Sequence, residues 1–168
     1  MIIKIFSFFS LFFIFISCKK TIPNATKEQP IEIVTENSIS KLKYVEYALS
    51  LENRKVVEDW PVYNELEGII NNIKKGDLSF FHNNNDAVKL LIKNLKENKP
   101  KQIKTAAISS RILVLETKLL KLESLSNLST TSEDTLLNTI KEVLVAFTNI
   151  NFQMNKKTEF DNQTITKP

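Results

Sequence analysis

Glycine is nearly absent from this chain: Gly68 and Gly76 are the only two in 168 residues. Sandwiches and barrels need many turns with positive φ, and a doubly wound sheet needs glycine where its loops approach phosphate. Two glycines supply neither requirement, so the composition points to an all-α fold. Cysteine and histidine are as scarce, with Cys18 and His82 the sole examples. One cysteine excludes an internal disulfide and a Cys-x-x-Cys-His haem attachment. One histidine excludes the paired Glu-x-x-His motifs of a di-metal bundle, and no Glu is followed by His three residues on. Neither a Gly-x-Ser-x-Gly elbow nor a glycine-rich phosphate loop can be written from these residues. No catalytic constellation and no cofactor is therefore expected.

Aromatic residues are unevenly placed. Six of the eleven Phe (Phe6, Phe8, Phe9, Phe12, Phe13, Phe15) precede Cys18, which leaves a Leu/Ile/Val-rich remainder. The net charge of +4 is modest, with both signs interspersed, as suits a solvated surface with weak attraction to anionic headgroups. Nucleic acid is not an expected partner. The length suits one domain.

The amino terminus carries the clearest motif. Met1-Ile-Ile-Lys4 is a short basic start, and Ile5 to Ile16 is an apolar run broken only by Ser7 and Ser10. A dozen residues suit a signal-peptide core and fall short of the roughly 20 that span a bilayer. The run ends in Phe15-Ile16-Ser17-Cys18, followed by Lys19-Lys20 and a polar stretch. These four residues resemble the lipobox of bacterial lipoproteins, with Phe15 in place of the usual Leu. The resemblance covers about a tenth of the chain. It implies removal of residues 1–17 and lipidation of Cys18, palmitate among the acyl chains, with the protein held at the cell envelope. Cleavage there suits the small Ser17, and no Ala-x-Ala site precedes residue 20 as an alternative. Each buried CH₂ of an acyl chain contributes about 0.8 kcal/mol, so two or three chains anchor stably. Lysines after the cysteine, where an acidic residue would signal inner-membrane retention, favour the outer membrane.

Residues 18–37 hold Pro23 and Pro30 and no helical period, and read as a flexible tether. As a random coil it would reach roughly 25 Å. From residue 38 to 157 the apolar period is helical, predicting an antiparallel bundle of four to five helices. Ser38 or Ser40 is the expected cap of a first helix placing Leu42, Val45, Leu49 and Val56 on one face. Pro61 either starts a second helix or kinks a continuous one. Leu66, Ile69, Ile70 and Ile73 form the next stripe, and Lys74-Lys75-Gly76 is a stop signal. Asp77 to Asn85 reads as a loop, and Val88, Leu91, Ile92 and Leu95 form a helix ended before Pro100. Ile108, Ile112, Leu115, Leu119 and Leu122 alternate steps of four and three. Leu136, Ile140, Val143, Phe147, Ile150 and Met154 repeat that alternation, after an expected Thr130–Glu133 capping box. Residues 158–168 lose the period and read as a frayed tail.

Few residues stand out as candidate sites. His82 between Asp77 and Asp86 is the only candidate for a base or metal site, and it lacks the three or four ligands of a stable one. Trp60-Pro61-Val62-Tyr63 places the sole Trp beside a Tyr, either to anchor an interface or to plug the core. Lys104, Arg111 and Lys118 recur at heptad spacing, which places them on one helix face, and Lys121 follows; the stripe is either an ordinary solvated or ion-paired face or a groove for an acidic partner or anionic glycan. The expected function is that of a non-enzymatic, lipid-anchored protein that touches the membrane through its anchor and an envelope protein through its bundle. The alternative is a bundle that binds or senses a small ligand in the periplasm.

Overall fold

A computed structural model describes residues 34–163. The expected signal peptide, Cys18 and most of the expected tether lie outside the described residues. Within them all regular structure is helical, and no strand occurs. The helices are α1 (Glu36–Ser40), α2 (Leu51–Glu58), α3 (Pro61–Lys74), α4 (Asn85–Glu97), α5 (Ala106–Ser126) and α6 (Glu133–Asp161). Single 3-10 turns lie at Ser79–Phe81 and Lys101–Ile103. The packed unit is a helical bundle.

Its frame is the pair α5 and α6, which share the most extensive helix contact. On α5, Ile108, Ile112, Leu115, Leu119 and Leu122 are all fully buried, as their four-three spacing requires. On α6, Leu136, Ile140, Val143, Phe147, Ile150 and Met154 are buried along the facing stripe. The start of α6 differs from expectation. Its first helical residue is Glu133, so Ser132 occupies the cap and its hydroxyl accepts from the Thr135 N–H at 3.3 Å. Thr130 lies too far back, and Thr131 donates to the Leu125 carbonyl at 2.8 Å instead.

Pro61 begins α3 rather than kinking a longer helix. The first helical position has no intrahelical donor to lose, which is why proline is accepted there. Leu66, Ile69, Ile70 and Ile73 face the core, and α4 turns Val88, Leu91, Ile92 and Leu95 inward beside them. The stop after α3 is a left-handed cap. Gly76 has φ +86°, its N–H donates to the Ile73 carbonyl at 2.9 Å, and the Asp77 N–H donates to the Asn72 carbonyl at 3.0 Å.

Three differences from expectation concern the ends and the first helix. Residues 34–37 belong to the packed unit, not to a tether: Val34 is 3% exposed, and Thr35 caps α1 in a box with Ser38. The expected helix through Leu42, Val45 and Leu49 is absent. After α1 the chain opens at Leu42 and returns to helix only at Leu51, where Ser50 is the cap. At the carboxyl end α6 continues to Asp161, beyond the expected limit of 157. The side chains of Lys156–Glu159 and Lys157–Asp161 pair along that last turn, and the Thr158 hydroxyl donates to Asn53 Oδ1 at 2.9 Å. Residues 164–168 lie outside the described residues.

The two glycines make opposite predictions. A Cβ on Gly76 would meet the backbone of Val34 at 3.0 Å and of Glu36 at 3.1 Å, in a left-handed conformation. Gly76→Ala should cost about 1–2 kcal/mol. Gly68 lies inside α3, where a methyl group in place of its hydrogen would have nothing within 4 Å. Gly68→Ala should therefore add about 0.5–1 kcal/mol. Urea denaturation of both variants checks the pair, and equal effects of one sign would contradict the capping geometry.

Candidate functional site

The most elaborate polar arrangement begins on α6, one flank over from its apolar seam. Thr148, Asn151, Asn155 and Thr158 follow at steps of three, four and three, so they form a single stripe. Thr148 is 3% exposed and Asn151 is 5% exposed, burial that polar side chains tolerate only when bonded. Their partners are on the open segment 42–50. Thr148 Oγ1 accepts from the Tyr47 N–H, and Asn151 Nδ2 donates to the Tyr47 carbonyl at 3.1 Å. Asn155 donates to the Ala48 carbonyl at 2.8 Å and accepts from the Ser50 N–H at 2.9 Å.

This geometry explains why the segment is extended. Tyr47 and Ser50 engage Thr148 and Asn155, which are seven helical residues and therefore about 10.5 Å apart. Three residues of chain cover that distance only near full extension, at about 3.4 Å each. A carboxamide carries the same donor and acceptor as a peptide group, so Asn side chains can stand in for a neighbouring strand. The stripe also reaches inward. Tyr63 donates its hydroxyl to Asn151 Oδ1 at 2.7 Å, and Asn53, fully buried, donates to Asn155 Oδ1 at 3.1 Å.

Trp60 and Tyr63, expected as interface anchors or core plugs, are both fully buried and present no surface for a partner. Trp60 stacks on Tyr63 with centroids 5.4 Å apart, and Tyr63 lies 5.8 Å from Phe147. This aromatic row ties the start of α3 to α6. The Trp60 indole N–H has no hydrogen-bond partner. Burial, followed by the charge of Glu67, pushes the Tyr63 hydroxyl well above the usual tyrosine range. Tyr44 is pushed up to about 12 by burial and by Glu46.

The basic stripe is not one face. Lys104 lies outside α5, which begins at Ala106, and heptad spacing fails where the helix has not begun. Lys118 and Lys121 both reach Glu142 across the α5–α6 contact, at 3.3 and 2.9 Å. Hydrogen bonds from Lys121 and then Lys118 hold the Glu142 carboxyl below the usual carboxylate range. Arg111 is exposed on α5. His82 is exposed after the Ser79–Phe81 turn, and Asp77 is occupied by the Ser79 N–H at 2.9 Å. Hydrogen bonds from Ser79, then the nearby His82, hold the Asp77 carboxyl low. Asp86 is exposed in the first turn of α4, where the helix dipole favours a carboxylate. No group of three or more His, Cys, Asp or Glu side chains is gathered as for a metal among the described residues.

A shallow cleft of about 350 Å³ opens between α2 and the chain that follows α4, lined by Lys55, Val56, Asp59, Asn98, Pro100 and Gln102. Nothing in the apolar periods foretold it, because its walls are two helix ends and a turn. Compared with known protein families, curated proteins and solved structures, the chain matches none.

The stripe can be tested at Asn151 and at its partner on α3, Tyr63. Asn151→Ala leaves the Tyr63 hydroxyl buried without its acceptor and should cost about 2–3 kcal/mol. Urea midpoints measure it; a loss within about 0.5 kcal/mol, on the order of a surface change, would contradict the arrangement. Because folding favours the protonated Tyr63 hydroxyl, its contribution is complete below pH 10, the ordinary tyrosine value, and is lost as pH rises above it. The stability of the parent should therefore fall as pH rises from about 9 to about 11, and Tyr63→Phe should fall less over the same interval.

Proposed function

We propose that this protein is a bacterial lipoprotein, held at the envelope through acylated Cys18, whose helical bundle acts by contact with other proteins. The observation that carries the reading is Phe15-Ile16-Ser17-Cys18, placed at the end of a twelve-residue apolar run and before Lys19-Lys20. Lipidation uses the thiol at the membrane surface, and no other cysteine in the chain competes for it. Among the described residues no helix is long and apolar enough to cross a membrane, so within them the bundle offers no span of its own. The bundle supports a scaffold role in its own way. Its side-chain hydrogen bonds tie Asn53, Tyr63, Asn151 and Asn155 to one another and to the chain's own backbone, which gives a rigid body. Leu90, Leu113 and Val114 stand on the outer sides of α4 and α5 at 57, 52 and 45% exposure, apolar surface of the kind contacts use.

Growth with a clickable palmitate analogue, followed by membrane fractionation, tests the anchor. The parent should carry label and sediment with the outer membrane. Cys18→Ser should lose the label and accumulate as the unprocessed chain. Unaltered processing and fractionation of Cys18→Ser would remove the proposal's foundation.

A further inference from the structure

The positive charge of this protein is concentrated in one stretch. Between Ala87 and Val114 there are seven cations, Lys89, Lys93, Lys96, Lys99, Lys101, Lys104 and Arg111, against one carboxylate, Glu97. That stretch carries a net +6 where the whole chain carries +4, so everything else is net negative. Of the seven, only Lys96 forms an ion pair among the described residues, with Glu116 at 3.0 Å. The structure then gathers part of the stretch at one end of the bundle. Lys99 folds back so that its ammonium donates to the Lys96 carbonyl at 2.9 Å, and the short turn that follows begins with Lys101 and is capped by Lys104. Burial, then the ammonium groups of Lys104 and Lys96, hold Lys99 below the usual lysine range. Lys96 has Glu116 as its counter-charge, but Lys99, Lys101 and Lys104 have no ion pair among the described residues, and like charges so gathered are a standing cost that an anion relieves.

We infer that the shallow cleft, whose lining residues Asn98, Pro100 and Gln102 alternate in sequence with Lys99 and Lys101, receives an acidic segment of a partner protein, its main chain against Asn98 and Gln102 and its carboxylates on Lys99, Lys101 and Lys104. This rests on the protein-contact reading above, though not on the anchor. Three features select a polypeptide over other polyanions. The site is a concavity of about 350 Å³, whereas a membrane needs a flat or convex face. Its lining includes the carboxamides of Asn98 and Gln102, which match peptide groups in donor and acceptor. It also includes Asp59, which repels a densely charged phosphate chain but can be spanned by a peptide whose charges are spaced.

The test uses the full chain in a nonionic detergent and fluorescent poly-L-glutamate at low salt. The parent should bind, and should weaken steeply as salt rises. Reversing the exposed Lys93, Lys101 and Lys104 to Glu should weaken binding at least tenfold. Reversing Lys41, Lys43 and Lys75, an equal change in net charge elsewhere, should change it less than twofold. Lys99→Gln alone, with thermal melts confirming that each variant folds, should reproduce part of the loss. Equal losses from the two triple variants would overturn the proposal, since net charge alone would then account for binding. Tighter binding of inorganic polyphosphate or of phosphatidylglycerol vesicles than of poly-L-glutamate would overturn it as well. A failed Cys18 labelling experiment would leave this result intact, so the two readings fail separately.

Discussion

The structure depends on carboxamides taking the place of peptide groups. Residues 42–50 carry main-chain donors and acceptors that neither a helix nor a sheet satisfies, and α6 meets them with Thr148, Asn151 and Asn155. An unmet main-chain group away from water costs free energy comparable to a lost hydrogen bond. The side-chain stripe therefore decides where the open segment lies. No residue from Ser40 to Glu52 is fully buried, so apolar packing alone does not hold it. Once held, it delivers Leu51 to the start of α2, and α2 delivers Trp60 and Tyr63 to the core. Tyr63 closes the loop of dependence by donating to the same Asn151.

Much of this fold was legible in the sequence, because helices on a shared core leave a four-three period. The seams of α5 and α6, the stripe of α3 and the glycine stop after Lys75 are each written in the order of their residues. The first helix misled for a physical reason. Leu42, Val45, Leu49 and Val56 do recur at helical steps, yet Leu42 and Tyr44 also alternate with Lys41 and Lys43, and the local pattern supports both periods. The deciding bonds come from residues about a hundred positions away, which no local window contains. A faint signal existed in α6 itself: polar residues stepping three, four, three beside an apolar seam are a face with something polar to meet.

The candidate sites were less legible, since they lie where periodicity ends. Trp60 and Tyr63 flank Pro61 at a break, and a break gives no direction; the structure turns both inward. The heptad of Lys104, Arg111 and Lys118 presumed one continuous helix, but α5 starts after Lys104. That same lysine is instead part of the cluster around Lys99, formed by a turn whose shape the sequence does not announce. The charge imbalance from Ala87 to Val114, in contrast, could be counted directly.

Amide hydrogen exchange resolved by residue tests the central dependence most directly. The N–H groups of Tyr47 and Ser50, bonded to Thr148 and Asn155, should exchange slowly, while those of Lys43 and Val45, which have no such partner, exchange fast. Asn155→Ala should release Ser50 and leave the α5–α6 seam protected. Uniformly fast exchange across residues 43–50 in the parent would contradict the account.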